Sequence, residues 1–205
     1  NFTIADSYKT NYTPKFCKIV NELGGYAELV SEMELEIALR VGVRPNRIIW
    51  NGPIKNSKKL EEFLVAGGTD NIDSIEELEV VKNIAEKHPD KTLNLGIRCN
   101  YEVNDGVVSR FGFDVDSEGF KNVLAFVTST PNVHFINFQC HFAKRQIEYW
   151  PARAKGMVEL IDRLSIIPER IDIGGGLFGK MADSLKAQFT NEIPDYQAYA
   201  EAAAR

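Results

Sequence analysis

Short apolar runs in this chain alternate with longer segments of helical period, and that rhythm limits the possible folds more than any other feature. The candidate strands are Phe2–Ile4 running on to Lys9, Ala27–Val30, Arg47–Asn51, Asp70–Ile72, Leu93–Cys99, Val133–His141 and Arg170–Ile173. Between and after them lie helical segments at Pro14–Leu23, Glu32–Val41, Ser57–Ala66, Ile75–His88, Ser117–Thr128, Ala152–Leu164 and Pro194–Arg205. Apolar residues in the latter recur at three- and four-residue steps, as in Leu60, Phe63, Leu64 and again in Leu78, Val81, Ile84. Ser74, with Glu77 three positions on, is the signature of a capping box at a helix start. Strands alternating with helices in this way specify βαβ units and therefore a parallel sheet. Seven strands suit either an open doubly wound sheet or a (β/α)8 barrel cut before its last strand. No GxGxxG follows the first strand, which weighs against the dinucleotide-binding form of the open sheet. No linker or repeat divides the chain, so residues 1–205 are expected to form one α/β barrel domain, TIM-like and truncated.

The bulk numbers narrow the class of partner. At 44% hydrophobic and 26% charged residues, the 205-residue chain has the composition of a globular protein with a sizeable core. A net charge of −5 argues against nucleic acid and against a polybasic membrane contact. No apolar run reaches the roughly eighteen residues of a membrane span, and no charged-then-apolar leader opens the chain, so a cytoplasmic protein is expected. Cys17, Cys99 and Cys140 have no CxxC spacing, which fits free thiols in a reducing compartment. Asn1 begins inside an apolar run and YAEAAAR ends within a helical pattern, so both ends are expected to be cuts in a longer chain.

Barrels of this kind carry their chemistry at the C-terminal ends of the strands. The residues expected there are polar and ionisable: Tyr8-Lys9-Thr10-Asn11, then Glu28 with Ser31 and Glu34, Asn51-Gly52, Asp73-Ser74, Arg98-Cys99-Asn100, Gln139-Cys140-His141 and Gly174-Gly175-Gly176. The three glycines after the seventh strand let backbone N–H groups converge on an anion, in the loop where barrels commonly bind phosphate. A flexible turn is the plainer reading. Lys9 is expected in a buried strand end, where lost hydration frees its amine for Schiff-base chemistry; a rim salt bridge with Glu28 or Glu34 is the alternative. His141 is either a core histidine or a group packed on a planar cofactor. Arg98 either pairs with an acid of the neighbouring strand or orders the acidic residues around a cofactor. His88 and His134 have no assigned role, Trp50 and Trp150 are packing residues, and the histidine spacing holds no metal.

In order and spacing, SYKTN (7–11), YAELVSEMELEIAL (26–39), NGP (51–53), NIDSIEEL (71–78), LGIRCN (95–100), SRFGFD (109–114), QCHFA (139–143) and IDIGGGLFG (171–179) resemble the barrel of the fold-type III decarboxylases. That group depends on pyridoxal phosphate and acts on diaminopimelate, ornithine, arginine or carboxynorspermidine. The resemblance implies that Lys9 forms the internal aldimine with pyridoxal 5′-phosphate and that His141 stacks on its ring. It also implies that Gly174, Gly175 and Gly176 cradle the phosphate, that Glu28 is the acid near the Schiff base, and that Arg98 is the arginine of the fifth strand. It implies a small amino-acid substrate, diamino or basic, and a homodimer in the full-length protein. Racemases and aldolases share such barrels, and some relatives serve as silent regulators. Two positions depart from the family pattern: Asp6 stands where an aromatic or apolar residue is usual, placing a carboxylate where it would pair with Lys9 or disfavour its neutral form, and Ala143-Lys144-Arg145 replaces a small residue and a phosphate-binding hydroxyl, leaving Lys144 as a point charge for that phosphate. By the same resemblance the acid for the pyridinium nitrogen, the last strand and a C-terminal β-domain lie beyond Arg205, so this fragment alone is expected to be inactive.

Overall fold

A computed structural model of the chain describes residues 2–189 and 193–204. Eight strands, β1 (Ala5–Ser7), β2 (Tyr26–Leu29), β3 (Ile48–Trp50), β4 (Thr69–Ile72), β5 (Leu93–Asn100), β6 (Phe113–Asp114), β7 (Val133–Gln139) and β8 (Arg170–Asp172), are separated by helices. The helices are α1 (Pro14–Glu22), α2 (Glu32–Val41), α3 (Ser57–Val65), α4 (Ile75–Lys87), α5 (Glu118–Ser129), α6 (Trp150–Leu164), α7 (Asp183–Lys186) and α8 (Tyr196–Ala203). Every strand pair is parallel, in the order β1-β2-β3-β4-β5-β7-β8, with β6 a two-residue addition to the end of β5.

The helices start where local chemistry stops the preceding loop. Ser31, Asn56, Ser74 and Ser117 accept backbone N–H groups of the first turns of α2, α3, α4 and α5. Pro14 opens α1, where its missing N–H costs nothing, and Gly42 ends α2 with φ +95°. Their apolar stripes, such as Leu60, Phe63 and Leu64 of α3 and Leu78, Val81 and Ile84 of α4, seal the outer face of the sheet.

The sheet curls. Arg170 of β8 lies 4.6 Å from the ring centroid of Tyr26 in β2, although four strands stand between β2 and β8 in the pairing order. The inner face is polar: Asn71 of β4 donates to Asn51 Oδ1 after β3, and a Cβ on Gly96 of β5 would collide with the amide oxygens of both Asn71 and Asn137. Gly96 is therefore what lets two asparagines meet at the centre of the curl. The result is the seven-strand arc of a truncated TIM-like barrel, with the first and last strands unpaired to each other among the described residues.

Several boundaries differ from the sequence expectation by a few residues, and two matter for the site. The first strand is only three residues long, so Lys9 falls in the turn after it rather than within it, and β7 stops two residues before His141. The short strand β6 and helix α7 were not anticipated; both lie in glycine- and aspartate-containing stretches with no clear period. Arg205, placed at the end of the last helix by sequence, lies outside the described residues.

Candidate active site

At the C-terminal ends of the strands, β1, β7 and β8 release the chain into turns that face one another. Lys9 is exposed, contrary to the expected burial, because the chain turns immediately after Ser7, with Thr10 N–H and Thr10 Oγ1 both bonded to the Ser7 carbonyl. Neither rim salt bridge forms within 4 Å. The Glu34 carboxylate instead accepts the Val30 N–H at 2.6 Å as part of the α2 cap, and no ion pair to Glu28 or Asp6 is present among the described residues. The concern that Asp6 would bind Lys9 is thus not realised. Asp6 is half-buried close to Tyr8, Cys17 and Glu28, and burial together with the Glu28 charge raises its pKa to about 6.

His141 is close enough to Lys9 to feel its charge. Burial, then the charges of Lys9, Arg98 and Arg153, push its pKa down to about 4, so the ring is neutral at ordinary pH. Its Nδ1 accepts the Gly175 N–H at 3.3 Å, which leaves the ring proton on Nε2. The glycine loop is pressed against this histidine. A Cβ on Gly174 would meet the Cys140 carbonyl and stand 2.9 Å from His141 Nδ1, and Gly174 has φ +72°. Gly174 N–H in turn donates to Asp172 Oδ1 at 2.8 Å. Around Gly175 nothing stands within 4 Å of a Cβ position, so that stretch of backbone faces open space.

Two further sequence candidates sit on the same rim. Glu28 is buried, and its charge acts on both Asp6 and Asp172; burial and then Glu28 bring Asp172 to about 6, against the Gly174 N–H bond that lowers it. Arg98 is held at 3.1 Å from Asp73 Oδ1 and covers the Phe111 ring at 4.9 Å, which is the neighbouring-strand pairing considered for it, while its charge also reaches His141. Lys144 contributes its backbone: its carbonyl accepts a bond from Arg153 and lies 3.8 Å from the Cβ position of Gly176.

Sequence reasoning passed over two residues here: Asp172 anchors the glycine turn, and Arg153 of α6 is fully buried against the same loop. An aspartate two residues before a glycine turn was a readable signal for the first; nothing local marks Arg153. Trp150 is a packing residue as expected, lying on both the Arg153 guanidinium (4.8 Å) and Tyr199 (5.2 Å). Trp50 is another, edge-on to Phe63 at 5.5 Å. A surface groove of about 410 Å³ between α3 and α4, lined by Lys58, Glu61, Glu62, Val65, Lys87 and His88, includes none of the rim residues. No group of three or more potential metal ligands occurs among the described residues, and no helix is long and apolar enough to cross a membrane.

Comparison with known proteins decides the family. Residues 2–202 match the model described as "Pyridoxal-dependent decarboxylase, pyridoxal binding domain". The chain belongs to the pyridoxal-dependent decarboxylases. Among curated relatives, the diaminopimelate decarboxylase of Aquifex aeolicus is 28% identical over 94% of this chain and 49% of its own length. The corresponding protein of Bacteroides thetaiotaomicron is 26% identical over 97% of this chain and 54% of its own. The crystal structure of diaminopimelate decarboxylase from M. jannaschii superposes with a TM-score of 0.84 at 24% identity, covering all of this chain and 49% of that one. An arginine decarboxylase of Paramecium bursaria Chlorella virus has the same fold at a TM-score of 0.72 and 23% identity. This decarboxylase-family chain therefore spans about half the length of the curated relatives it matches. Its cofactor is pyridoxal phosphate.

The residues present fit that group. A glycine cradle that any Cβ at position 174 would block lies against a neutral imidazole, with an exposed primary amine whose charge reaches that ring.

Proposed function

We propose that this chain is the cofactor-binding barrel of an amino-acid decarboxylase, in which Lys9 holds pyridoxal phosphate covalently as a Schiff base and the substrate is a diamino or basic amino acid. One observation carries the reading: the Lys9 amine, the neutral ring of His141 and the triple-glycine turn meet at the ends of three different strands. The substrate class rests on the relatives, which are diaminopimelate and arginine decarboxylases. When bound, the cofactor supplies an electron-poor ring that accepts the electrons released as a carboxylate departs.

The chain's own residues have separable tasks. Lys9 Nζ, exposed and without a carboxylate within 4 Å among the described residues, is open to an aldehyde. His141, uncharged and fixed by the Gly175 N–H, presents an aromatic face whose orientation does not vary with protonation near neutrality. The Gly174–Gly176 backbone receives the phosphate, with the Lys144 and Arg145 segment packed against Gly176. Arg98, braced by Asp73, contributes fixed positive charge near His141, and Glu28 places a carboxylate on the rim. A silent regulatory role drew its support from Asp6 and Lys144. Asp6 makes no ion pair with Lys9, so the enzyme reading is favoured.

The test is to add pyridoxal phosphate to the protein, reduce with borohydride, and locate the pyridoxyl group by peptide mass spectrometry, in wild type and in Lys9→Ala. Modification at Lys9 that disappears in the variant is the expected result. Modification of some other lysine, unaffected by the substitution, would overturn the assignment of Lys9.

A further inference from the structure

Arg153 is the one fully buried arginine side chain among the described residues, and no carboxylate lies within 4 Å of it. A guanidinium buried without a carboxylate is uncommon, because its charge must then be met by dipoles or by a ligand. Here two backbone carbonyls meet it. Nη1 donates to Gly175 O at 3.0 Å and Nη2 donates to Lys144 O, while Nε has no partner. The rings of Trp150 (4.8 Å) and Phe142 (5.7 Å) hold the plane of the fork. The helical turn that carries Arg153 is fixed in its turn: Tyr101 at the end of β5 donates its hydroxyl to the Arg153 carbonyl at 2.6 Å, and Gly156 makes room for the Tyr101 ring.

We propose that Arg153 is the positioning residue of the phosphate cradle, a fork that ties the loop after β7 to the glycine turn after β8 and sets the direction of its N–H groups. The inference rests on the reading of this site as a pyridoxal phosphate site. The argument is one of peptide geometry. In a trans peptide the carbonyl and the following N–H point in opposite directions. By drawing Gly175 O toward α6, Arg153 turns the Gly176 N–H away from α6, and that N–H meets no acceptor among the described residues. The guanidinium also lies 3.9 Å from the Cβ position of Gly176, so its charge stands directly behind the turn. A phosphate dianion in front of the turn would meet an oriented N–H backed by a fixed cation. With Ala143-Lys144-Arg145 in place of a hydroxyl residue, the chain supplies this anchoring from behind the loop rather than from within it.

The measurement is the ratio of affinities for pyridoxal phosphate and for pyridoxal, which lacks the phosphate, in the full-length protein with Arg153→Met and Arg153→Lys. Wild type should prefer the phosphorylated form strongly. Arg153→Met should lose roughly tenfold or more of that preference while pyridoxal affinity stays the same; Arg153→Lys, which keeps a charge but loses the fork, should fall between. A role confined to stability would weaken both ligands equally and leave the ratio unchanged. An unchanged ratio in Arg153→Met, or in Arg153→Lys should the methionine variant fail to fold, overturns the role of Arg153. A wild-type protein with no preference for the phosphorylated form instead overturns the reading of the glycine turn as a phosphate site.

Discussion

Behind β4, Lys55 lies 2.9 Å from Asp70 and also bonds Glu77 of α4, all three side chains being almost completely excluded from solvent. On the inner face and rim of the same sheet stand Glu28 and Asp172, with Asp6 on the opposite face of β1 toward Cys17, and no cation lies within 4 Å of any of the three among the described residues. Both groups are carboxylates wholly or partly withdrawn from water, yet they are settled differently. Behind the sheet, burial raises the pKa of Asp70 and Glu77, and Lys55 works against that rise while keeping its own charge through them. One lysine and two carboxylates sharing a proton make a neutral, self-contained cluster. On the rim, Arg98 is spent on Asp73 and Arg153 on carbonyls, so burial and then the Glu28 charge raise Asp6 and Asp172 instead. Charge balanced within the fold marks structure, and charge left unbalanced at strand ends marks a place prepared for a ligand.

The sharpest way to break this contrast is Lys55→Met. Removing the cation leaves two buried carboxylates facing each other, and the expected loss is about 3–5 kcal/mol of unfolding free energy, measured by urea titration at neutral pH. Asp70→Asn is the control: it removes one of the two carboxylates and leaves Lys55 paired with Glu77, so it should cost clearly less than Lys55→Met. On the rim, Glu28→Gln should cost nothing or stabilise, since it relieves repulsion from Asp6 and Asp172. If Lys55→Met were as mild as Glu28→Gln, the two clusters would not differ in kind.

A smaller effect is expected at the glycine turn. Gly174→Ala forces a Cβ into the Cys140 carbonyl at φ +72°, at a cost of about 1–3 kcal/mol. Gly175→Ala meets nothing within 4 Å and should leave stability nearly unchanged while intruding on the open face. Far-UV circular dichroism with pyridoxal phosphate titration separates the two. Position 174 should lose stability and cofactor affinity together, and position 175 affinity alone.

The alternation of strand and helix was legible in the sequence because propensity, period and caps agree in the first half: Ser31 with Glu34 and Ser74 with Glu77 open α2 and α4 in the same way. The rim was legible too, since strand ends can be counted and Lys9, His141 and Gly174 each close one. What the sequence could not supply was the length of β1. Ser7 to Lys9 carries no glycine or proline to mark a turn, and the strand stops there through the local bonds of Thr10 N–H and Oγ1 to Ser7 O. Arg153 was hidden for a different reason. It occupies an ordinary helical position four residues before Met157, and only the fold brings Lys144 and Gly175 to it, 9 and 22 residues away in sequence.

The mildest test concerns pH. Asp6 and Asp172 are raised to about 6, so between about pH 4 and pH 6 the folded state binds more protons than the unfolded chain, and their contribution to stability falls as pH rises across that window. His141 is lowered to about 4; over about pH 4 to 6.5 it binds fewer protons when folded, and its contribution grows as pH rises. The opposing slopes partly cancel in the wild type. Asp172→Asn keeps an oxygen for the Gly174 N–H but removes one falling term, so its stability should climb more steeply with pH between 4 and 6, by up to about 1.4 kcal/mol per pH unit. His141→Gln should tilt the profile the other way. Parallel profiles for all three proteins would mean that the rim carboxylates titrate as they do in water, and that the imbalance distinguishing the rim from the Lys55 cluster is not felt by the fold.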